Sequence, residues 1–463
     1  MLFPTVEFAL FFTVVLAASW ALMPMPRLWK PAILAASYVF YGAASWRFCL
    51  LLAGITVINQ VAAVAVHRTA DESRRRWLVA VAVTLDLGLL GVFKYYGFFV
   101  ESFAELLDDA GLGMPLPLLT IALPIGVSFF TFQAISYVVD VKRGQTEPSS
   151  ALDFAVYLSF FPHLVAGPIV RAREFLPQLK LPRDPTRVAV GSGLALMGLG
   201  LAKKVLIADY LARSVVDPVF AVPQAYAAPD VLLAAYAYTA QIYCDFSGYT
   251  DLAIGLALLL GFVFPQNFRS PYRATGFRDF WRRWHMTLSR FLRDFLYIPL
   301  GGSRHGRLKT YRNLMITMVL GGLWHGAAWT FVLWGAFHGT GLAAERAIGG
   351  RILLPRWLKW LVFFHLIVFS WVLFRSQSLE LAAAFLSQLA VPGPATLWTL
   401  TTVAAIVAVV GLQLLPPDAV ERLQVGIEKR RPILLATGLA LLVIVSGATV
   451  SGQGVAPFIY FRF

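Results

Sequence analysis

The chain has 463 residues, of which 58% are hydrophobic and 14% are charged, and its formal net charge is +14. A soluble domain carries about 25% charged residues, so the composition excludes an ordinary soluble protein, and the positive charge does not indicate nucleic-acid binding. Apolar runs of membrane-spanning length recur from end to end. They predict an all-α, polytopic membrane protein with about 10–12 transmembrane helices, plus re-entrant and interfacial helices.

The first five predicted crossings follow a consistent charge pattern. Residues 6–24 form the first span, and residues 31–66 are long enough for two spans that turn near Ser45-Trp46-Arg47. Residues 77–98 and 117–140 form the fourth and fifth. The basic loop 67–76 is expected in the cytoplasm, and the loop after the fourth span is acidic. Because basic loops favour the cytoplasmic side, the N-terminus is predicted to lie outside.

The middle of the chain is irregular. Residues 151–170 are apolar but contain Pro162, Gly167 and Pro168, which break a helix. Broken backbone at membrane depth is tolerated only where protein or a cavity surrounds it, so we expect a re-entrant segment here. Residues 188–208 are predicted to span outward, and residues 229–263 to return, with a possible break.

The longest polar stretch, 269–312, carries eleven basic residues against two aspartates, and we expect it in the cytoplasm. Basic residues also follow 313–347, which should therefore cross an even number of times or partly re-enter. Three more spans fit residues 357–374, 397–416 and 433–452. With no internal repeat and no separable soluble region, we predict one membrane-embedded domain, 1–463, divided into N-terminal spans 1–145, a core at about 150–345 and C-terminal spans 350–463.

The stretch 321–339 is the first candidate site. It is apolar and contains no Lys, Arg, Asp or Glu, yet it holds His325 and His338. Ionisable residues at membrane depth usually mark a function, and a neutral imidazole can act as a base. If the stretch is one helix, the two histidines lie about 20 Å apart on nearly opposite faces. His325, between Trp324 and Gly326, is the first choice, and a core histidine bonded to a nearby carbonyl is the alternative.

A second candidate lies in residues 280–291. There Trp281, Trp284, Leu288 and Phe291 recur at the spacing of one helical face, and His285 adjoins that face. An interfacial amphipathic helix is one interpretation. In the other, arginines on the opposite face bind phosphates of an anionic donor: Arg282, Arg283 and Arg290.

Carboxylates inside the apolar run 229–263 form a third feature. Asp245 and Asp251 are six residues apart and diverge on a straight helix. A buried carboxylate must be paired or protonated. It either orients a catalytic histidine or holds helices in register. No histidine pair at i, i+4 and no Cys-x-x-Cys occurs, so no metal site is predicted.

These features favour acyl transfer, in which a buried histidine activates a hydroxyl as general base and a basic vestibule receives an anionic donor. One rival is a transporter or flippase for a lipid-linked sugar, although such proteins often show two related halves, which this sequence does not. Another is a non-catalytic subunit of a polysaccharide export complex.

Five motifs in order resemble the membrane-bound O-acyltransferase (MBOAT) family. They are Gly126–Tyr137 ahead of Asp140-Val-Lys-Arg-Gly144, the Phe161-Pro162-His163 segment through Ile169, residues 243–251, Trp284-His285-Met286-Thr287-Leu288-Ser289, and Trp324-His325-Gly326. They are most similar to the bacterial branch that includes the alginate O-acetyltransferase membrane subunit and the D-alanyl-transfer protein of teichoic acid synthesis.

The resemblance implies a ring of helices around a central buried site, with His325 as the catalytic histidine. His285 would hold the second position, which is His or Asn, sometimes Asp, in the family. Supporting or orienting residues would be Asp245, Trp324, Trp284 and Tyr243.

The implied activity is O-acetylation of an exported polysaccharide such as alginate, in the bacterial inner membrane. Acetyl-CoA would be the donor substrate, and no bound cofactor or metal is expected. The expected partners are the lipid bilayer, the polysaccharide and a periplasmic or membrane-anchored acetyltransferase.

Overall fold

The computed structural model describes residues 1, 3–112, 122–181, 183–349 and 354–450. Within these ranges the secondary structure is helical and contains no β-strand. The chain divides into two compact units.

The first unit comprises Met1–Gly193 and Leu256–Phe264. Its helices are, in order, α1 Val6–Leu22, α2 Pro26–Gly42, α3 Trp46–Arg68, α4 Glu72–Leu90, α5 Tyr96–Asp109, α6 Val127–Lys142, α7 Ala151–Ser159, α8 Phe161–Leu164 and α9 Ala172–Lys180. A π-helical segment, Gly91–Tyr95, joins α4 to α5.

The second unit comprises Leu194–Gly255 and Pro265–Phe463. Helix α10 begins before the first of these bounds, and α13 ends after the second. The helices are α10 Val190–Ala202, α11 Asp209–Leu211, α12 Asp217–Ala221, α13 Ala228–Leu259, α14 Phe277–Trp281, α15 Met286–Leu292, α16 Arg307–His325, α17 Trp329–Ile348, α18 Arg356–Arg375, α19 Leu379–Gln388, α20 Leu400–Leu414, α21 Pro417–Glu428 and α22 Pro432–Val450.

Four helical runs are long and apolar enough to cross a membrane: Trp46–Arg68, Glu72–Asp109, Val190–Ala221 and Arg356–Arg375. Three shorter helices, α1, α20 and α22, are also apolar. The protein is therefore an all-α, multi-pass membrane protein. The total of ten to twelve crossings and the internal boundaries of the single domain stay predictions.

Most predicted spans coincide with helices. The turn expected near Ser45 separates α2 from α3, and the expected span 77–98 lies inside the longer run Glu72–Asp109. The predicted span 117–140 is only partly testable, because residues 117–121 lie outside the described residues; its second half is α6.

The predicted break in residues 151–170 is confirmed. Helix α7 ends at Ser159, and the four-residue helix α8 follows. The backbone from Val156 to Ala172 is buried, which meets the requirement that irregular backbone be covered by protein. His163 donates from Nε2 to the carbonyl oxygen of Tyr157 at 2.9 Å. This histidine has a structural role in the first unit.

The predicted break in residues 229–263 is wrong, because α13 runs for 32 residues without interruption. Its carboxylates are paired with two consecutive lysines. Lys203 Nζ lies 2.6 Å from Asp251 Oδ2, and Lys204 Nζ lies 2.6 Å from Asp245 Oδ1 and 2.7 Å from Asp209 Oδ1. Burying a charge requires such a partner. A continuous helix can therefore carry both aspartates.

Helices α16 and α17 form an antiparallel hairpin, so the hypothesis that 321–339 is one helix is wrong. Helix α16 ends at His325, because Gly326 and Ala328 are extended (φ −159° and −153°), and α17 begins at Trp329. The two helices approach closely through glycines. A Cβ on Gly322 would clash with the carbonyl oxygen of Phe331, and the pair Gly335 and Gly339 lies against Met318 and Met315. Small residues four positions apart thus let the two helix backbones approach each other closely.

The single amphipathic helix predicted over 280–291 is also wrong. Helix α14 ends at Trp281, and α15 starts only at Met286. Between them His285 adopts the left-handed conformation (φ 42°, ψ 53°), which no α-helix interior accommodates. The expected apolar positions Trp284, Leu288 and Phe291 are nevertheless buried.

Candidate active site

His325 occupies the C-terminal end of α16, at the turn of the hairpin. Its side chain is buried, and its ring centroid lies 5.1 Å from Phe374, 5.3 Å from Trp334 and 5.1 Å from its neighbour Trp324. An apolar wall of this kind disfavours a charged group. The position therefore suits a neutral imidazole.

His285 is held at the turn between α14 and α15 by Asn267. Its Nδ1 lies 3.1 Å from Asn267 Oδ1. The same oxygen accepts from the backbone N–H of Thr287 at 3.1 Å and from its hydroxyl at 2.9 Å. The backbone N–H of Met286 donates to the carbonyl oxygen of Asn267 at 2.9 Å. These bonds stabilise a left-handed conformation that residues other than glycine seldom adopt.

The two histidines predicted to be catalytic lie together. The ring centroids of His285 and His325 are 6.4 Å apart, although forty residues separate them in the chain. Trp324 lies beside both, 6.0 Å from the ring of His285. Phe246 contacts His285 edge-on at 4.6 Å. The arrangement is a pair of buried imidazoles lined by aromatic rings.

His338 is near this pair, contrary to the expected separation of about 20 Å. The ring of Trp334 is 5.3 Å from His325 and 4.6 Å from His338, so one side chain contacts both histidines. The hairpin folds α17 back along α16, which a single helix could not do. His338 itself is fully buried among aromatic rings, which also include Trp281 at 5.3 Å and Phe277 at 5.6 Å.

The supporting residues predicted from the sequence occupy different places. Trp324 adjoins both histidines. Trp284 packs on Trp371 at 4.9 Å, one layer behind the pair. Tyr243 lies beside Lys203, whose Nζ is 5.6 Å from the ring centroid.

Asp245 forms an ion pair with Lys204. Of the two roles considered for this carboxylate, its place in a buried ion-pair cluster favours holding helices in register.

The predicted donor-binding arginines differ in their surroundings. Arg282 is exposed, whereas Arg283 is partly buried and donates from Nε to Asp279 Oδ1 at 2.7 Å. Arg290 is partly buried. Since Arg283 already binds a carboxylate, Arg282 is the better placed of the two for an anionic ligand.

Sequence reasoning missed Asn267 and Phe246. Asn267 lies in a loop between Pro265 and Pro271, where a polar side chain suggests a turn and nothing more. Phe246 stands in the middle of a recognised motif, but an aromatic residue on a buried helix looks like ordinary core. Across the part of the chain that the structure describes, no three His, Cys, Asp or Glu side chains come together as a metal site.

Sequence similarity identifies the family of the chain. Residues 33–379 match the model of the membrane-bound O-acyltransferase family. The chain is 47% identical to the probable alginate O-acetylase AlgI of Pseudomonas aeruginosa, over 76% of this chain and 67% of that protein.

The protein of the same name from Pseudomonas putida is 40% identical over 93% of this chain and 94% of its own length. The peptidoglycan O-acetyltransferase of Helicobacter pylori is 37% identical over 77% and 72%. The chain therefore belongs to the membrane-bound O-acyltransferase family and is an acyltransferase.

Proposed function

We propose that this acyltransferase takes acetyl from acetyl-CoA on the cytoplasmic side and supplies it for O-acetylation of an exported polysaccharide such as alginate. The support for an acetyl group and a polysaccharide comes from the relatives, which are named as O-acetylases or O-acetyltransferases of alginate and peptidoglycan. The family membership disfavours both the transporter and the scaffold.

The observation that carries the proposal is the pair of buried imidazoles, His325 and His285, 6.4 Å apart. In the proposed reaction the oxygen of an acceptor hydroxyl attacks the thioester carbonyl carbon, and His325 takes the hydroxyl proton. The carbon–sulfur bond then breaks, and the same proton passes to the departing thiolate. The products are the acetyl ester and the free thiol, so no net proton is consumed.

The basic segment 269–312 would receive the donor. Its eleven cationic side chains against two aspartates attract the phosphates of a coenzyme A ester. Within it, Arg282 and Arg290 are proposed to contact the phosphates. Arg283 would add positive charge nearby while it stays bonded to Asp279.

We further propose that the protein lies in the bacterial inner membrane with its N-terminus outside, and that a periplasmic or membrane-anchored acetyltransferase is its partner in O-acetylation of the polymer. The distribution of basic loops supports this orientation. Cysteines introduced at Glu72 and His305 should resist a membrane-impermeant reagent added from outside, while one at Glu105 should react. Efficient labelling at Glu72 or His305 would show that the proposed orientation is wrong.

The central test is the acetate content of the exported polysaccharide in cells that carry His325→Ala. A positioned base contributes about 10²–10⁴-fold to the rate. We therefore expect acetyl transfer to fall by a factor of that order, with a normal amount of the variant in the membrane. His365→Ala is the matched control, because that histidine bonds to Tyr236 away from the pair. Normal acetylation by His325→Ala would exclude this histidine as the base.

A further inference from the structure

The amide of Asn267 has one orientation that fits its neighbours. A backbone N–H can only donate, and that of Thr287 points to Asn267 at 3.1 Å. The amide atom it meets must therefore be the oxygen.

The position of that oxygen then determines which ring nitrogen of His285 is protonated. An amide oxygen can only accept, so the His285 Nδ1 that lies 3.1 Å from it must be the protonated nitrogen. A neutral imidazole has one N–H. Its Nε2 consequently presents a lone pair, and this atom is buried with no hydrogen-bond partner among the described residues.

The backbone is held by the same residue. His285 and Ser270 are the only non-glycine residues with positive φ in the described ranges. Such strain persists where surrounding contacts over-determine it, and it clusters at functional sites. Here the hydrogen bonds from the backbone N–H groups of Met286 and Thr287 to Asn267 hold the strained backbone in place. Asn267 thus sets both the position of the His285 ring and its tautomer.

We propose that Asn267 is a positioning residue that locks His285 as the Nδ1–H tautomer, so that Nε2 accepts a hydrogen bond from a hydroxyl of the acceptor. Because Nε2 then carries no proton, it cannot donate a hydrogen bond to the acyl carbonyl, and His285 does not polarise that carbonyl. The attacking hydroxyl has a single proton, which His325 takes in the proposed function on which this inference rests. The bond to His285 then comes from a second hydroxyl of the acceptor, such as a sugar provides.

Substitutions at His285 separate these roles. His285→Asn should retain part of the acetyl transfer, because an amide oxygen can accept the same bond and Asn tolerates the left-handed conformation. His285→Gln offers the same amide but a side chain less suited to positive φ, and should retain several-fold less. Equal activity of the two variants would contradict the role assigned to the backbone strain.

The decisive measurement is nitrogen NMR of the purified full chain, with ¹⁵N in its histidine rings, in lipid nanodiscs. The His285 signals are identified by their loss in His285→Asn. We expect a protonated Nδ1 and an unprotonated Nε2 in the native protein. Asn267→Leu should shift this towards a mixture of tautomers, whereas Asn267→Asp, which can accept the same bonds, should keep it.

The matched control is Asn313→Leu. Asn313 is also fully buried, but its amide donates to the carbonyl oxygens of Leu300 and Gly302, so its loss should leave the His285 signals unchanged. A protonated Nε2 in the native protein overturns the inference, and so do unaltered signals in Asn267→Leu. If Asn267→Leu does not fold, the native spectrum and Asn267→Asp still decide. The readout does not depend on acetyl transfer, so its failure is distinct from failure of the proposed function.

Discussion

The close packing of α16 against α17 makes Gly335→Ala a strong perturbation of the candidate site. A Cβ at Gly335 would lie 2.8 Å from Val319 Cα and closer still to the carbonyl oxygen of Met318. Both neighbours are backbone atoms and cannot rotate away. Since ordinary contacts begin at 3.4 Å, relieving the Val319 contact alone requires a separation of about 0.6 Å, and the closer contact with the Met318 oxygen requires more.

The expected magnitude follows from that separation. Overpacking a well-filled interior costs about 1–3 kcal/mol of unfolding free energy. The side chain of Trp334, next to Gly335, contacts His325, so the displacement reaches the histidine proposed as the base. A misplacement of about 1 Å can cost about 10²-fold in rate, and we therefore expect acetyl transfer to fall by roughly 10-fold or more.

The assay compares acetate content of the exported polysaccharide with the thermal unfolding of purified protein. Gly198→Ala is the matched control, because a Cβ there meets nothing within 4 Å, and alanine favours helix by up to about 1 kcal/mol. It should leave both readouts at or above the native level. Native activity and stability in Gly335→Ala would refute the view that glycine packing of the hairpin positions His325.

Three further outcomes are expected. Lys204→Met should lower the unfolding free energy by about 3–5 kcal/mol in thermal unfolding, because it leaves two buried carboxylates without their cation. Lys203→Met should cost less, since the Lys203 side chain is 24% exposed and pairs with one carboxylate; equal losses would contradict this. Because we assign His338 to aromatic packing, His338→Phe should keep most acetyl transfer, whereas His338→Ala should unfold at lower temperature. A His338→Phe variant that is stable but inactive would instead indicate a catalytic role for the His338 nitrogens. Arg282→Gln should raise the apparent KM for acetyl-CoA more than Arg283→Gln does, since the Arg283 guanidinium already binds a carboxylate, and the reverse order would identify Arg283 as the donor contact.

Local patterns led to two wrong helices for the same reason. Residues 321–339 and 280–291 each show helical spacing of large apolar side chains, and periodicity reports which faces are buried. It does not report where the backbone turns. In the first stretch the chain reverses at Gly326, where a Cβ would clash with the ring of Phe331. In the second, a bond from a side chain eighteen residues earlier holds His285 in the left-handed region.

The carboxylates of α13 illustrate a related limit. The sequence shows that Asp245 and Asp251 need partners, because an unpaired charge in an apolar run is unfavourable. It does not show that consecutive lysines after α10 supply both. Pairing between residues 41 and 48 positions apart depends on how two helices cross, which no local pattern encodes.

The sequence by itself determined the class of the molecule and the candidate residues His325 and His285. Hydrophobic content and the spacing of apolar runs are set by the bilayer, and an ionisable side chain in such a run stands out without any structure. Only the tertiary structure decided that the two imidazoles adjoin, that His338 is one tryptophan away from His325, and that Asn267 orients His285. These relations depend on the direction in which a chain leaves each turn, and that direction is fixed by close packing of glycines and by hydrogen bonds between distant residues.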